Sequence, residues 1–190
     1  MDWNNKKEVM NYINLYGALA VLDPKSKNYE FGESFTTKEG FSFCLYALNE
    51  QGGYSVPLSK ARISGNHFTH AEMCEIYRMA YRNTLRAGAV IIERIVKDCP
   101  FFKVASDIGS FGATLPLYNH DGLAELAEVL KEDLLVCSIT KRELYVTPMS
   151  FANTSLLFQM LIKTIDPANQ LTDKLYVYNR SNNTLTPWAE

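Results

Sequence analysis

Pairs of short strand-forming runs joined by tight turns constrain the fold of this chain more than any other feature. The clearest pair is LLVCSIT (134–140) and ELYVTPM (143–149), which are joined by Lys141-Arg142. A second pair lies in KLYVYNRSNNTLTPW (174–188), with Asn182-Asn183 at the turn. Runs of β-branched and aromatic residues on both sides of a short polar turn predict antiparallel hairpins. The C-terminal half is therefore expected to build an antiparallel sheet.

Helices are predicted between these hairpins. Asn119-His120-Asp121-Gly122 precedes an i, i+3, i+4, i+7 repeat of apolar residues at Leu123, Leu126, Ala127 and Leu130. The segment 153–165 is apolar nearly all round and predicts a helix that is buried or meets a partner, for example in a homodimer. With strands predicted at FFKVAS (101–106) and ATLPLY (113–118), the C-terminal order is β-β-α-β-β-α-β-β. This order predicts an α+β fold, a two-layer sandwich of antiparallel hairpins packed under helices.

The N-terminal half is expected to add a helix, a hairpin and a long helix. Amphipathic spacing predicts a helix over residues 2–16, and FSFCLYAL (41–48) with GYSVPLSKARI (53–63) predicts a hairpin whose Pro57 places the second strand at an edge. A long helix is predicted from His70 to about Asp98. Ala87-Gly88-Ala89 weakens it, so two helices or a kink is the alternative. The 190 residues predict one compact domain, 1–190, with residues 1–55 as an N-terminal extension.

Composition narrows the classes of function. With 47% hydrophobic residues and a formal net charge of −2, the chain fits a globular protein and disfavours general nucleic-acid binding. Its four cysteines form no CxxC pair, which argues against a zinc ribbon and a disulfide-stapled secreted domain. The sequence shows no signal peptide and no apolar run of membrane-spanning length. We therefore expect a cytoplasmic protein without a cofactor.

Four stretches carry a resemblance to a known family. They are VPLSKARISGNHF with its helix ending in AYRNT, then FGATLPLYNHDGLAELAEVLKEDLLVCSITKRELYVTP, then LLFQMLIKTID, and finally LTDKLYVYNRSNNTL. Their order resembles a clostridial domain of unknown function that is common in Lachnospiraceae genomes, over about residues 56–187. The chain departs from the family where Cys137-Ser138-Ile139-Thr140 replaces a Pro-Ser-Ser. The resemblance implies the order of elements and a bacterial or mobile-element origin, and it implies no catalytic residue.

The stretch SGNHFTHAEMC (64–74) is the densest in reactive side chains. His67, His70 and Cys74, with Glu72, are candidate metal ligands, since His70 and Cys74 share a helix face at i, i+4. The contiguous letters SGNH do not indicate an esterase, whose triad residues come from separate segments. Thr69-x-x-Glu72 is also a capping box, with Phe68 and Met73 as its hydrophobic staple. The capping box explains most of the stretch and is the preferred interpretation: a helix start.

Two other clusters of charge are candidate sites. Arg78, Arg82 and Arg86 recur at i, i+4, i+8, near Lys60 and Arg62, and predict a guanidinium stripe that contacts phosphates or an acidic protein surface. The alternative is a solvated face on which Glu75 balances Arg78 or Arg82. Separately, a carboxylate cluster would suit metal or acid–base chemistry, and the alternative is that Asp121 only complements a helix dipole. Its members are Asp107, Asp121 and Glu125.

These observations favour a non-enzymatic binding or regulatory protein of a bacterium or its phage. Its partner would be a protein or ribonucleoprotein, contacted through Arg78, Arg82 and Arg86, with direct nucleic-acid contact through the same stripe as an option. A specific form of this hypothesis is counter-defence, including inhibition of CRISPR-Cas or another host nuclease. The first alternative is a metal-dependent hydrolase or nuclease that uses His67, His70 or the Asp107 and Asp121 cluster. The second is a homo-oligomeric structural protein assembled through helix 153–165.

Overall fold

The structure is a computed structural model that describes residues 1–22, 33–51, 53–59, 63, 65–108, 111–137, 139–151 and 170–188. Within these residues, four helices and ten strands follow one another along the chain. In chain order they are α1 (Lys6–Tyr16), β1 (Gly17–Val21), β2 (Ser34–Thr36), β3 (Ser42–Leu48), β4 (Tyr54–Pro57), α2 (His70–Ala87), β5 (Val90–Arg94), β6 (Phe102–Ser106), α3 (Thr114–Tyr118), α4 (Leu123–Leu130), β7 (Leu134–Cys137), β8 (Leu144–Pro148), β9 (Tyr176–Asn179) and β10 (Thr184–Pro187).

The strands form two antiparallel sheets, which confirms the predicted α+β class. In the first sheet, β3 is central, and β1 pairs with one of its edges along its length. On the other edge, β2 pairs with the first part of β3 and β4 pairs with the last part. The second sheet has six strands in the order β10-β9-β7-β8-β6-β5. The hairpins β7–β8 and β9–β10 lie where the turn residues predict them. Strand β4 lies at an edge, as Pro57 requires.

One apolar cluster joins the two sheets. Val21, Phe41 and Phe43 of the N-terminal sheet belong to the same buried cluster as the inward residues of the six-stranded sheet and of α4. The rings of Phe41 and Tyr176 are 5.2 Å apart across this junction. Residues of the segment 1–55 therefore contribute to the core that also supports the C-terminal hairpins. A second cluster fixes α1 and α2 to the N-terminal sheet, with Val9, Ile13, Leu19, Leu45 and Ile76 fully buried.

The predicted strand at 113–118 is wrong, because Thr114–Tyr118 is the short helix α3. Pro116 is its third residue, where a helix tolerates proline since the missing N–H would have no intrahelical partner. Leu115, Pro116 and Leu117 are all buried, so an apolar run without alternation is a helix here. Local sequence did not distinguish a short buried strand from a short buried helix.

The long helix predicted from His70 to about Asp98 ends at Ala87, and Val90–Arg94 forms the edge strand β5. Gly88 ends the helix where the backbone passes against the 107–108 segment. A β-carbon on Gly88 would lie 2.2 Å from Ile108 Cγ1 and 2.4 Å from Asp107 Oδ1, so no larger residue fits without movement. The β-branched run after it pairs with β6. The break expected at Ala87-Gly88-Ala89 is therefore a change from helix to strand.

The apolar helix predicted at 153–165 lies outside the described residues. Among the helices that the structure describes, none has the length and apolar character needed to cross a bilayer.

Candidate recognition site

Helices α1 and α2 lie side by side and run in the same direction. Near their starts, Lys6 Nζ is 2.7 Å from Glu72 Oε2. Near their ends, Arg82 Nη2 donates to Asn14 Oδ1 at 2.6 Å. The C-terminal ends of both helices therefore meet at one point of the surface, and Arg86 in the last turn of α2 offsets part of their negative charge.

Asn83 holds this junction together. Its Nδ2 donates to the backbone carbonyls of Ile13 at 3.1 Å, Asn14 at 3.1 Å and Gly17 at 2.8 Å. The last carbonyls of a helix have no intrahelical donor, so a side-chain amide satisfies groups that would otherwise need water. Asn83 is only 5% exposed. One side chain of α2 thus fixes where α1 ends and where β1 begins.

The three arginines of the predicted stripe have three different environments. Arg78 Nη1 is 3.1 Å from Glu75 Oε2, an exposed i, i+3 pair that matches the solvated-face alternative. Arg82 is engaged with Asn14 of α1. Arg86 has no hydrogen bond or ion pair with any residue that the structure describes. Lys60 and Arg62, expected near the stripe, lie outside the described residues. Of the three arginines, Arg86 is therefore the one whose donors no described residue occupies.

Arg86 lines a cleft of about 300 Å³ at the helix ends, which we call the helix-end cleft. Its wall combines apolar, amide and charged side chains from α1, from the β3–β4 turn and from α2. They include Leu15, Tyr16, Leu48, Asn49, Glu50 and Asn83.

Exposed apolar side chains surround the cleft. Leu15 is 65% exposed, Tyr16 39% and Leu85 44%. The buried positions next to Leu85 are the polar Asn83 and Thr84. Leu85 follows Arg82 by three residues, a spacing that makes neighbours on a helix surface. We call the set Leu15, Tyr16, Arg82, Leu85 and Arg86 the helix-end surface.

The stretch 64–74 starts a helix, as the preferred interpretation expected. Thr69 Oγ1 accepts from the Glu72 N–H at 3.3 Å, and Glu72 Oε2 accepts from the Thr69 N–H at 2.7 Å, so the capping box is complete. The Lys6 ammonium, together with Thr69, lowers the pKa of the Glu72 carboxyl to about 2. Glu72 is therefore committed to the cap and to the contact with α1.

Of the candidate metal ligands, the structure brings together His70 and Cys74, with 3.7 Å between Nε2 and Sγ. His67, with a φ of 51°, lies in the turn before the helix. In the part of the chain that the structure describes, no three His, Cys, Asp or Glu side chains converge in a way that would hold a metal ion.

The carboxylates Asp107 and Asp121 each have a local partner. Asp107 Oδ1 accepts from the Ala89 N–H at 2.7 Å and so holds the start of β5. Asp121 Oδ2 accepts from the Tyr81 hydroxyl at 2.8 Å. Burial, with the neighbouring Asp121, raises the pKa of Tyr81 to about 12. Glu125 lies in the first turn of α4, where a carboxylate complements the helix dipole. These contacts serve the fold.

His120 is buried and also has a structural role. It adopts a φ of 59°, and its Nδ1 lies 3.0 Å from the Asn183 carbonyl oxygen. The Tyr178 hydroxyl donates to Asn183 Oδ1 at 2.8 Å, which fixes the turn of the last hairpin against His120. The third histidine is therefore engaged with that turn.

Comparison with known proteins finds no match: no family model, no curated protein and no solved structure is significantly similar to this chain. The resemblance to the clostridial family stays a prediction.

Proposed function

We propose that this chain is a non-enzymatic recognition protein that binds a protein partner through the helix-end surface. The observation that carries the proposal is Arg86, a cation without a partner among the described residues, which lines a cleft beside exposed Leu15 and Tyr16. Aromatic and arginine side chains dominate the energetics of protein interfaces because each combines a large contact area with directional polar groups. The combination of Arg86 with exposed Leu15 and Tyr16 at one place distinguishes this surface from a solvated helix face.

The composition of the surface favours a protein over a nucleic acid as the partner. Binding along a phosphate backbone requires several unpaired cations, since each neutralised phosphate adds to affinity. Here Arg78 is paired with Glu75, Arg82 is engaged with Asn14, and Glu50 places a carboxylate in the cleft itself. One guanidinium without a partner among the described residues, beside apolar groups, suits an acidic group flanked by apolar side chains on another protein.

The experiment is affinity capture from a clostridial lysate with three versions of the protein. The wild type, Arg86→Glu and Arg78→Glu are immobilised in equal amounts, and captured proteins and nucleic acids are quantified together with metal content. Arg78→Glu is the matched control, because it makes the same charge change on the same helix away from the cleft. We expect a stoichiometric protein that the wild type and Arg78→Glu capture and that Arg86→Glu loses.

Three outcomes would contradict the proposal. The first is a partner that Arg86→Glu captures as well as the wild type does. The second is capture of nucleic acid alone. The third is about one equivalent of bound metal that is lost on replacement of His70 or Cys74, which would favour the hydrolase or nuclease alternative. If the captured protein is a nuclease of a host defence system, its inhibition by the wild type but not by Arg86→Glu would test the counter-defence form of the proposal.

A further inference from the structure

We infer that the helix-end cleft binds the free C-terminal carboxylate of a partner polypeptide whose last residue is apolar. The inference rests on the proposed function and specifies the chemistry of the group that the surface receives. Three properties of the cleft support it: hydrogen-bond donors for one carboxylate, an acceptor for one N–H, and apolar walls for one side chain.

The donors for a carboxylate come from Arg86 and Asn49. Arg86 offers a planar fork of N–H groups that matches the two oxygens of a carboxylate, and no described residue occupies it. Asn49 Oδ1 accepts from the backbone N–H groups of Gln51 at 3.0 Å and Gly53 at 2.9 Å. These bonds fix the orientation of the Asn49 amide, and Nδ2 has no acceptor among the described residues. Arg86 of α2 and Asn49 of the β3–β4 turn both line the cleft, so both are available to donate to one bound carboxylate.

The acceptor for an N–H comes from Asn83. Its three contacts with α1 all use Nδ2, so the orientation of its amide is fixed as well. Within the described residues no donor reaches Asn83 Oδ1, and Asn83 lines the cleft. An acceptor that belongs to the lining of the cleft can receive a ligand N–H. The last peptide N–H of a polypeptide lies next to its carboxylate.

The remaining wall accepts a single apolar side chain. Leu15, Leu48 and Ala87 line the cleft together with the Tyr16 ring. A volume of about 300 Å³ is at the low end for ligand pockets, which run from about 300 to 1,000 Å³, and suits one terminal residue better than a nucleotide or a larger cofactor. Glu50 adds a negative charge to the wall, which repels a doubly charged phosphate more strongly than a singly charged carboxylate.

The test uses N-acetyl-leucine and N-acetyl-leucinamide, which differ only in the terminal carboxylate. Each is titrated into the full ¹⁵N-labelled chain, and amide and arginine side-chain shifts are followed by NMR. We expect N-acetyl-leucine to shift signals of Asn49, Glu50 and Arg86 saturably, with a dissociation constant on the order of a few mM. The amide analogue should bind about tenfold more weakly or worse, because it lacks the charge that Arg86 recognises.

Variants and a third probe complete the test. Arg86→Gln should lower the affinity for N-acetyl-leucine by about tenfold, whereas Arg78→Gln should leave it unchanged. Equal affinities for the acid and the amide, an equal response to inorganic phosphate, or no saturable response up to about 20 mM would overturn the inference. If one of these results is found and Arg86→Glu still abolishes capture of the partner, the proposed function stands. Only the inference that the cleft binds a C-terminal carboxylate is then refuted.

Discussion

Replacing Asn83 by alanine should destabilise the protein by about 2–4 kcal/mol. The amide nitrogen carries two hydrogens, so its contacts with three carbonyls amount to at most two full hydrogen bonds. The Ile13 carbonyl keeps a donor, because the Gly17 N–H also reaches it. The carbonyls of Asn14 and Gly17 lose theirs. A hydrogen bond contributes about 0.5–1.5 kcal/mol net, and a buried group left unpaired costs about 1–3 kcal/mol. The space left by the side chain adds a cavity cost.

Urea denaturation followed by circular dichroism measures the loss directly. The midpoint should fall while the slope stays unchanged, since a local truncation does not alter the surface exposed on unfolding. Asn11→Ala is the matched control: Asn11 is exposed in the middle of α1, so the same substitution there should change stability by less than about 0.5 kcal/mol. If Asn83→Ala behaved like this control, the amide would not hold the end of α1, and the geometry of the helix-end cleft would need another cause.

Three further predictions concern single side chains. Thr84→Val leaves the buried Leu19 N–H without its acceptor, so urea denaturation should show a loss of about 1–3 kcal/mol; an unchanged midpoint would contradict this. Since the Lys6 ammonium lowers the pKa of Glu72 from 4.5 to about 2, the stabilisation from this carboxylate is fully present above pH 4.5 and is lost as the pH falls towards about 2. The unfolding free energies of wild type and Glu72→Gln should therefore converge over that range, and a constant difference would refute the assignment. Burial raises the pKa of the Cys44 thiol to about 12, so peptide mass spectrometry should find iodoacetamide labelling of Cys44 in urea but not in the folded protein; comparable labelling in both would contradict the burial.

The hairpins were predictable because their determinants are local. The turn at Asn182-Asn183 separates two short runs of alternating residues, and Tyr176, Tyr178 and Leu185 are the ones that face the core. The order of strands in the six-stranded sheet was not predictable from such signals. It places β9 beside β7 rather than beside β8, which precedes it among the described strands. That pairing depends on which apolar faces fit together in the core, and no local turn encodes it.

The arginine stripe shows that residue spacing alone predicts a shared helix face but not the contacts of each side chain. An i, i+4, i+8 pattern placed Arg78, Arg82 and Arg86 on one edge of α2, and the structure confirms that helix. Their roles differ because their neighbours differ. Glu75 is local and was named in advance, whereas Asn14 lies 68 residues from Arg82 and reaches it only because α1 packs alongside. Arg86 is available because it has no such neighbour among the described residues at the helix ends, and this is a property of the assembled structure.

The sequence of α2 nevertheless contains a signal for the site, namely polar residues within its apolar, buried face. Asn83 and Thr84 interrupt an apolar face at positions where Ile76 and Ala80 pack against the core. Buried polar side chains require hydrogen-bond partners, and within a helix their own backbone is already satisfied. Such residues therefore indicate contact with backbone that lacks partners, either a helix end or a strand edge. Asn83 meets the end of α1, and Thr84 meets the outer edge of β1 at the Leu19 N–H. Asn83 and Thr84, which interrupt the apolar pattern of α2, thus fix the end of α1 and the strand β1 that follows it, beside the cleft.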